Sequence, residues 1–146
     1  MQIFLPRRFI PIWIWKDCVK FMIKLIPVLR HERRESGLWQ QEGKNRIKRA
    51  DLVIECVPEV METKQNLFRD LEAITSAECI YCTNTSVMSP TEISEKCEHK
   101  ERIVGTHFWN PAHLIPLVEV VKTKDTSEEV MQATMDVMAK AGKKPI

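Results

Sequence analysis

Glycine is scarce in this chain of 146 residues, which has only Gly37, Gly43, Gly105 and Gly142. No two of them stand in a Gly-x-Gly-x-x-Gly spacing, so the turn that lets a backbone close on a pyrophosphate is missing. No apolar run of about 20 residues is present, so no membrane-spanning helix is expected. A secretory leader needs an apolar core of about 7–15 residues and a small-residue cleavage site; residues 9–15 barely reach that length and no such site follows. Cysteine is present five times, at Cys18, Cys56, Cys79, Cys82 and Cys97. An odd number without a leader argues against a disulfide framework and for a reducing, cytoplasmic compartment. No internal repeat is found.

Hydrophobic residues at 44% and charged residues at 29% are those of an ordinary globular protein, and the length suits one domain rather than two. The net charge of +2 hides an uneven distribution. Residues 1–50 hold twelve of the twenty-two Lys and Arg but four of the twenty Asp and Glu, a balance of +8; the remainder has ten against sixteen, a balance of −6. Two kinds of material meet near Ala50: a basic segment, 1–50, and an acidic remainder, 51–146. The polar basic run at 30–49 carries no finger, helix-turn-helix or aromatic-basic motif, so it reads as a solvated face and nucleic acid is not an expected partner. A basic amphipathic contact with a membrane through residues 1–28 is the sharper alternative, and it is not the one expected.

From Asp51 onward, strand and helix patterns alternate. Residues 52–57 are a short, mostly apolar run closed by Pro58, as in a buried parallel strand. Val60, Lys64, Leu67, Phe68, Leu71 and Ile74 then share one helical face, with the aliphatic stem of Lys64 at its edge. Residues 79–83 read as a second strand. Ser89 followed by Pro90 gives an N-cap and a first-turn proline for a short helix to about Cys97. Residues 102–107 and 117–121 read as two further strands. Thr126 or Ser127 caps a last helix, with Glu128 and Glu129 in its first turn and Gly142 ending it; another strand should begin at Lys144. The alternation predicts an α/β sheet with helices on its faces.

Two clusters invite chemistry. Cys79-Ile80-Tyr81-Cys82 has the spacing of a zinc or redox pair, but residues three apart on a strand point to opposite faces, so core cysteines are expected and no metal. The denser cluster begins at His107, where the third strand runs out into a loop, the end at which open α/β sheets bind ligands. An imidazole beside a carboxylate is a base whose tautomer is fixed and whose cation is stabilised. Glu119 supplies that carboxylate if its strand lies beside that of His107; spacing permits this without requiring it, and a histidine merely hydrogen-bonded at a strand end stays open.

The string Gly105-Thr106-His107-Phe108-Trp109-Asn110-Pro111, followed by Ile115-Pro116-Leu117-Val118-Glu119-Val120-Val121, resembles the signature of the 3-hydroxyacyl-CoA dehydrogenase family. Asp51-Leu52-Val53-Ile54-Glu55-Cys56-Val57-Pro58-Glu59 and Thr83-Asn84-Thr85-Ser86 are similar to two more of its motifs, in the matching order. The resemblance covers residues 51–146 and implies an incomplete Rossmann-type, mainly parallel sheet whose first glycine-rich βαβ unit is missing. It implies an NAD-dependent oxidoreductase that converts L-3-hydroxyacyl-CoA to 3-oxoacyl-CoA in fatty-acid β-oxidation. By the same resemblance His107 is the general base, Glu119 orients it, Ser86 hydrogen-bonds the reacting oxygen, Asn110 belongs to the active-site loop, and Glu59 and Lys64 lie beside the nicotinamide end of NAD. Read without it, Ser86 closes a turn, Asn110-Pro111 is a turn pair, and Glu59 with Lys64 is a surface ion pair of small value. His113 is a loop residue with no assigned role.

The family's helical domain, which completes the acyl-CoA pocket and forms a homodimer, has no counterpart here, so the chain is expected to be a truncated piece. Two other readings are carried: a related dehydrogenase of carnitine or a sugar acid, and a non-catalytic remnant that binds through an exposed sheet edge.

Overall fold

The computed structural model describes residues 9–13 as backbone and residues 47–146 in full. The amphipathic reading of 1–28 and most of the basic run at 30–49 lie outside the described residues.

Among the described residues one six-stranded sheet runs in the order β1 (Phe9–Trp13), β2 (Leu52–Cys56), β3 (Ile80–Thr83), β4 (Ile103–Phe108), β5 (Leu117–Lys122) and β6 (Lys144–Pro145). The first four strands pair in parallel. The basic segment thus contributes to the sheet: Phe9 to Trp13 pair in register with Leu52 to Cys56. Pro11 within that strand has no N–H to give, a defect tolerated at an edge, the place β1 holds among the described strands.

Connection length sets the direction of each pair. Helix α1 (Met61–Glu72) links β2 to β3, and α2 (Pro90–Ile93) with two short 3-10 turns links β3 to β4; crossovers of this length permit parallel strands. Only residues 109–116 separate β4 from β5, too few for a crossover, and the two pair antiparallel. Helix α3 (Glu128–Lys140) then returns the chain so that β6 lies parallel to β5.

The helix ends match their caps. Ser89 Oγ accepts the N–H of Glu92 at the start of α2. Of the two candidates for α3, Ser127 is the cap, accepting from Val130 N–H at 3.2 Å. Thr126 instead donates to the carbonyl of Ile103 at 2.6 Å, which ties the loop after β5 to the start of β4. Gly142 ends α3 at φ +80, in the left-handed region.

Alternating strand residues feed two cores. Val53, Tyr81 and Ile103 join Phe68 and Leu71 of α1 and Ile93 of α2 on one face. Leu52, Ile54, Ile80, Cys82, Val104, Val118 and Val120 pack with Met138 of α3 on the other. Each large side chain so buried contributes about 1.5–3 kcal/mol before entropy is charged against it. Cys79 and Cys82 fall on opposite faces as the strand period requires, and burial pushes the Cys79 thiol up to about 12. Among the described residues no group of three or more His, Cys, Asp or Glu is placed to hold a metal ion, and no helix is long and apolar enough to cross a membrane.

On the α1–α2 face, two-residue steps along the strands change character in one direction. Val53 is followed by Glu55, Tyr81 by Thr83, and Ile103 by Gly105 and then His107, so the core grades into a polar row at the carboxyl ends of β2, β3 and β4. Gly105 is required in that row. A Cβ there would lie 2.9 Å from Cβ of Val121, its partner on β5, and 3.1 Å from Cγ of Pro90.

Candidate active site

The antiparallel pairing of β4 and β5 sets His107 directly opposite Glu119. Their side chains share a face, and His107 Nδ1 lies 2.6 Å from Glu119 Oε2. A carboxylate only accepts, so Nδ1 carries the proton and Nε2 of the neutral ring is left with its lone pair. That lone pair faces Ser86, whose Oγ is 3.1 Å away and donates to it. The His107 side chain is partly exposed and so is that of Glu119, so a small molecule can reach the pair. The hydrogen bond from His107 holds the Glu119 carboxyl below its ordinary value against the opposing effect of desolvation, and Trp109 adds to it.

Ser86 stands on the loop after β3, held by Glu59. The Glu59 Oε1 atom accepts the Ser86 N–H at 2.9 Å, and Oε2 accepts the Thr85 hydroxyl at 2.8 Å. Lys64, one turn into α1, is buried, so its pairing with Glu59 is not the surface pair that spacing suggests. It is 1% exposed and donates to Glu55 Oε1 at 2.6 Å and to the carbonyl of Val57 at 3.2 Å, with Glu59 Oε2 farther off at 3.7 Å. Glu55 is itself 0% exposed and saturated by Lys64, the Val57 N–H at 2.6 Å and the Thr83 hydroxyl at 2.7 Å.

Asn110 is exposed at the start of the loop 109–116, joined to Pro111 by a cis peptide bond. Among the described residues no hydrogen bond connects its side chain to Ser86, His107 or Glu119. His113 is also exposed.

Three contributors escaped the sequence reading. Asn84 Oδ1 accepts the Phe108 N–H at 2.8 Å, tying the end of β3 to the strand that bears His107. Lys143 Nζ donates to the carbonyls of Ala112 and Ile115 beneath the loop that follows. Glu55 carried a signal: a lone carboxylate in an otherwise apolar parallel strand must find a partner if the strand is buried. The other two depend on contacts between segments distant in sequence and carry none.

The sequence model of the family described as 3-hydroxyacyl-CoA dehydrogenase, NAD binding domain, matches residues 31–146, beginning some twenty residues before the first motif. A peroxisomal fatty acid beta-oxidation multifunctional protein of Arabidopsis thaliana is 47% identical over 89 residues, which are 61% of this chain and 12% of that protein. The fatty acid oxidation complex subunit alpha of Psychrobacter arcticus is 40% identical over 96 residues, 66% of this chain and 13% of the relative. The chain thus spans about an eighth of the length of such curated relatives. Among solved structures, 3-hydroxybutyryl-CoA dehydrogenase of Escherichia coli superposes with a TM-score of 0.67 at 38% identity, covering 68% of this chain and 21% of the other. The dehydrogenase part of multifunctional enzyme 1 of C. elegans gives 0.73 at 25% identity, covering 98% of this chain and 41% of the other. With the motif order, the sheet and the paired His107 and Glu119 in hand, the match over most of its length makes this chain a member of the 3-hydroxyacyl-CoA dehydrogenase family, within its NAD-binding domain.

Proposed function

We propose that this chain carries the proton-transfer end of an NAD-dependent dehydrogenase of L-3-hydroxyacyl-CoA, with His107 as the general base. The observation that carries the reading is the Glu119–His107–Ser86 line, 2.6 Å on one side of the ring and 3.1 Å on the other. A 3-hydroxyl placed beside Nε2 takes the position now shared with the Ser86 hydroxyl. Its proton passes to Nε2, and the imidazolium that forms is stabilised by the Glu119 carboxylate. Ser86 Oγ–H turns to donate to the same substrate oxygen as it becomes a carbonyl. In the reverse direction His107 returns the proton. When bound, NAD supplies the hydride acceptor.

The residues present fit the reacting end of that cofactor and not its middle. Ser86 is exposed and Glu59 is 38% exposed beside it, at the strand ends where a nicotinamide would lie. None of the four glycines follows β1 in the spacing that cradles a pyrophosphate. Asn110, exposed on the loop after His107, is available to the acyl thioester. Cys79, Cys82 and Cys97 are buried free thiols, which supports a cytoplasmic or other reducing compartment.

The same line invites a second reading, a serine hydrolase with Ser86 as nucleophile and His107 and Glu119 as its relay. The surroundings argue against it. A hydrolase needs backbone N–H groups free for an oxyanion, whereas the Ser86 N–H is given to a carboxylate. Negative charge at Glu59 opposes a tetrahedral oxyanion there.

The test is NADH oxidation by the full chain with acetoacetyl-CoA as acceptor, beside a His107→Ala control. Turnover that falls about 10²–10⁴-fold in the control supports the reading. Turnover unchanged by the substitution removes His107 from the role. No turnover at all leaves the family membership standing and overturns independent catalysis by this chain.

A further inference from the structure

Behind Ser86 lies a row of charged groups that the proton transfer does not touch. We propose that Glu59 is a positioning residue for Ser86, anchored in turn by the buried pair of Glu55 and Lys64. The proposal deepens the reading of the site above and rests on it.

Ser86 is exposed, and the loop that carries it is tied to the neighbouring strands at Asn84, two residues earlier. Its hydroxyl rotates about a single bond, so its meeting with Nε2 depends on where the backbone of residue 86 sits. Glu59 fixes that backbone. Its carboxylate reaches across 26 and 27 residues of sequence to take the Thr85 hydroxyl and the Ser86 N–H. The Thr85 Oγ1 atom also accepts the Met88 N–H at 3.0 Å, which closes the same turn. Charge-assisted bonds of this kind are stronger than neutral ones, and two of them on adjacent residues define a position rather than a tether. Displacement of about 1 Å in such an array costs on the order of 10²-fold in rate.

Glu59 needs holding itself, because it sits in an exposed turn with Pro58 before it and exposed Val60 after it. Lys64 supplies this from the inside. Its ammonium is 3.7 Å from Glu59 Oε2 and is gripped at 2.6 Å by Glu55. At 1% exposure it does not present itself to a ligand, so its influence on the site passes through Glu59. The resemblance placed Glu59 and Lys64 beside the cofactor; the bonds made here give the Glu59 oxygens to the Ser86 turn and the Lys64 ammonium to Glu55 and the Val57 carbonyl.

The test reads the imidazole of His107 rather than turnover, so that it is separable from the activity assay. The Nε2 resonance is measured in ¹⁵N-labelled full-length chain at one neutral pH, in the wild type and in Ser86→Ala, Glu59→Ala and Glu59→Gln, with a thermal melt of each. Ser86→Ala defines the shift caused by losing the hydroxyl. Glu59→Ala is expected to move Nε2 in the same direction and at least half as far, and to move the Ser86 amide proton upfield as it loses a charged acceptor. Glu59→Gln retains an oxygen for that N–H and recovers most of both shifts. Should Glu59→Ala lose its cooperative melt, Glu59→Asp, one methylene shorter, takes its place with the same expected shift. An unmoved Nε2 in the Ala or Asp variant overturns the proposal, whatever the Ser86 amide does. An unmoved Nε2 in Ser86→Ala overturns the site reading beneath it.

Discussion

Two acid–base pairs stand on one face of the sheet, and they are built for opposite ends. The Glu55 and Lys64 side chains are 0% and 1% exposed, and every oxygen of Glu55 has a donor. The His107 and Glu119 pair is a third open, and the far ring nitrogen of His107 meets the hydroxyl of Ser86, which turns about a single bond. The first pair is taken out of water completely, where a lone charge costs several kcal/mol and a saturated one is immobile. The second keeps one atom in reach of solvent because a base must be able to receive something. A fully satisfied network makes a good foundation and a poor catalyst, and the foundation lies directly behind the Ser86 turn.

The strongest way to break the comparison is to leave Glu55 without its partner. Lys64→Met should lower the unfolding free energy by about 3–5 kcal/mol, read as a shift of the urea midpoint, because a buried carboxylate then has no counter-charge. Adding Glu55→Met should recover part of that loss and not all of it, since Thr83 and the Val57 N–H remain without their acceptor. A loss below about 1 kcal/mol in Lys64→Met would place this pair with surface ion pairs.

A smaller effect is expected at the strand crossing that creates the second pair. Gly105→Ala puts a methyl 2.9 Å from Val121. Over-packing of this sort costs about 1–3 kcal/mol, and the movement of β5 away from β4 should lengthen the His107–Glu119 contact two residues on. Parallel measurement of the urea midpoint and the His107 Nδ1 proton resonance separates the two consequences; a stable variant with an unaltered resonance would show that the glycine is dispensable.

The smallest effect is the pH dependence of the open pair. The Glu119 carboxyl lies below its ordinary value because the folded state favours its charged form. Its contribution to stability is therefore complete above the unfolded value of about 4.3 and is lost as the pH falls through the lower, folded one. The difference in urea midpoint between wild type and Glu119→Gln should shrink as the pH falls below about 4.3. A difference that persists unchanged in acid would mean that Glu119 is held by contacts indifferent to its charge.

The motifs read from the sequence correspond to the parts of the site that lie within single segments. Ser86 lies on the loop just after β3, His107 is next to last in β4, and the apolar run before each marks its place. What joined them was less legible. Spacing allowed His107 and Glu119 to meet without requiring it; the eight-residue connection between β4 and β5, too short for a crossover, is the signal that would have decided it. Lys64 was read on the edge of a helical face, next to Glu59. Its true partner, Glu55, lies nine residues earlier on a strand, and helical periodicity holds no information about that. The strand at Phe9–Trp13 was masked by the basic residues around it, whose charge spoke for the segment as a whole.

The sequence by itself determined the alternation of elements, the cap at Ser89, the opposite faces of Cys79 and Cys82, and the family to which the motifs belong, because each depends on residues a few positions apart. Only the tertiary structure decided which charges are paired and which atoms stay open. Burial and hydrogen bonding are properties of neighbours in space, and the neighbours that matter here, Glu59 with Ser86, Glu55 with Thr83 and Asn84 with Phe108, are brought together by the sheet from 24 to 28 residues apart.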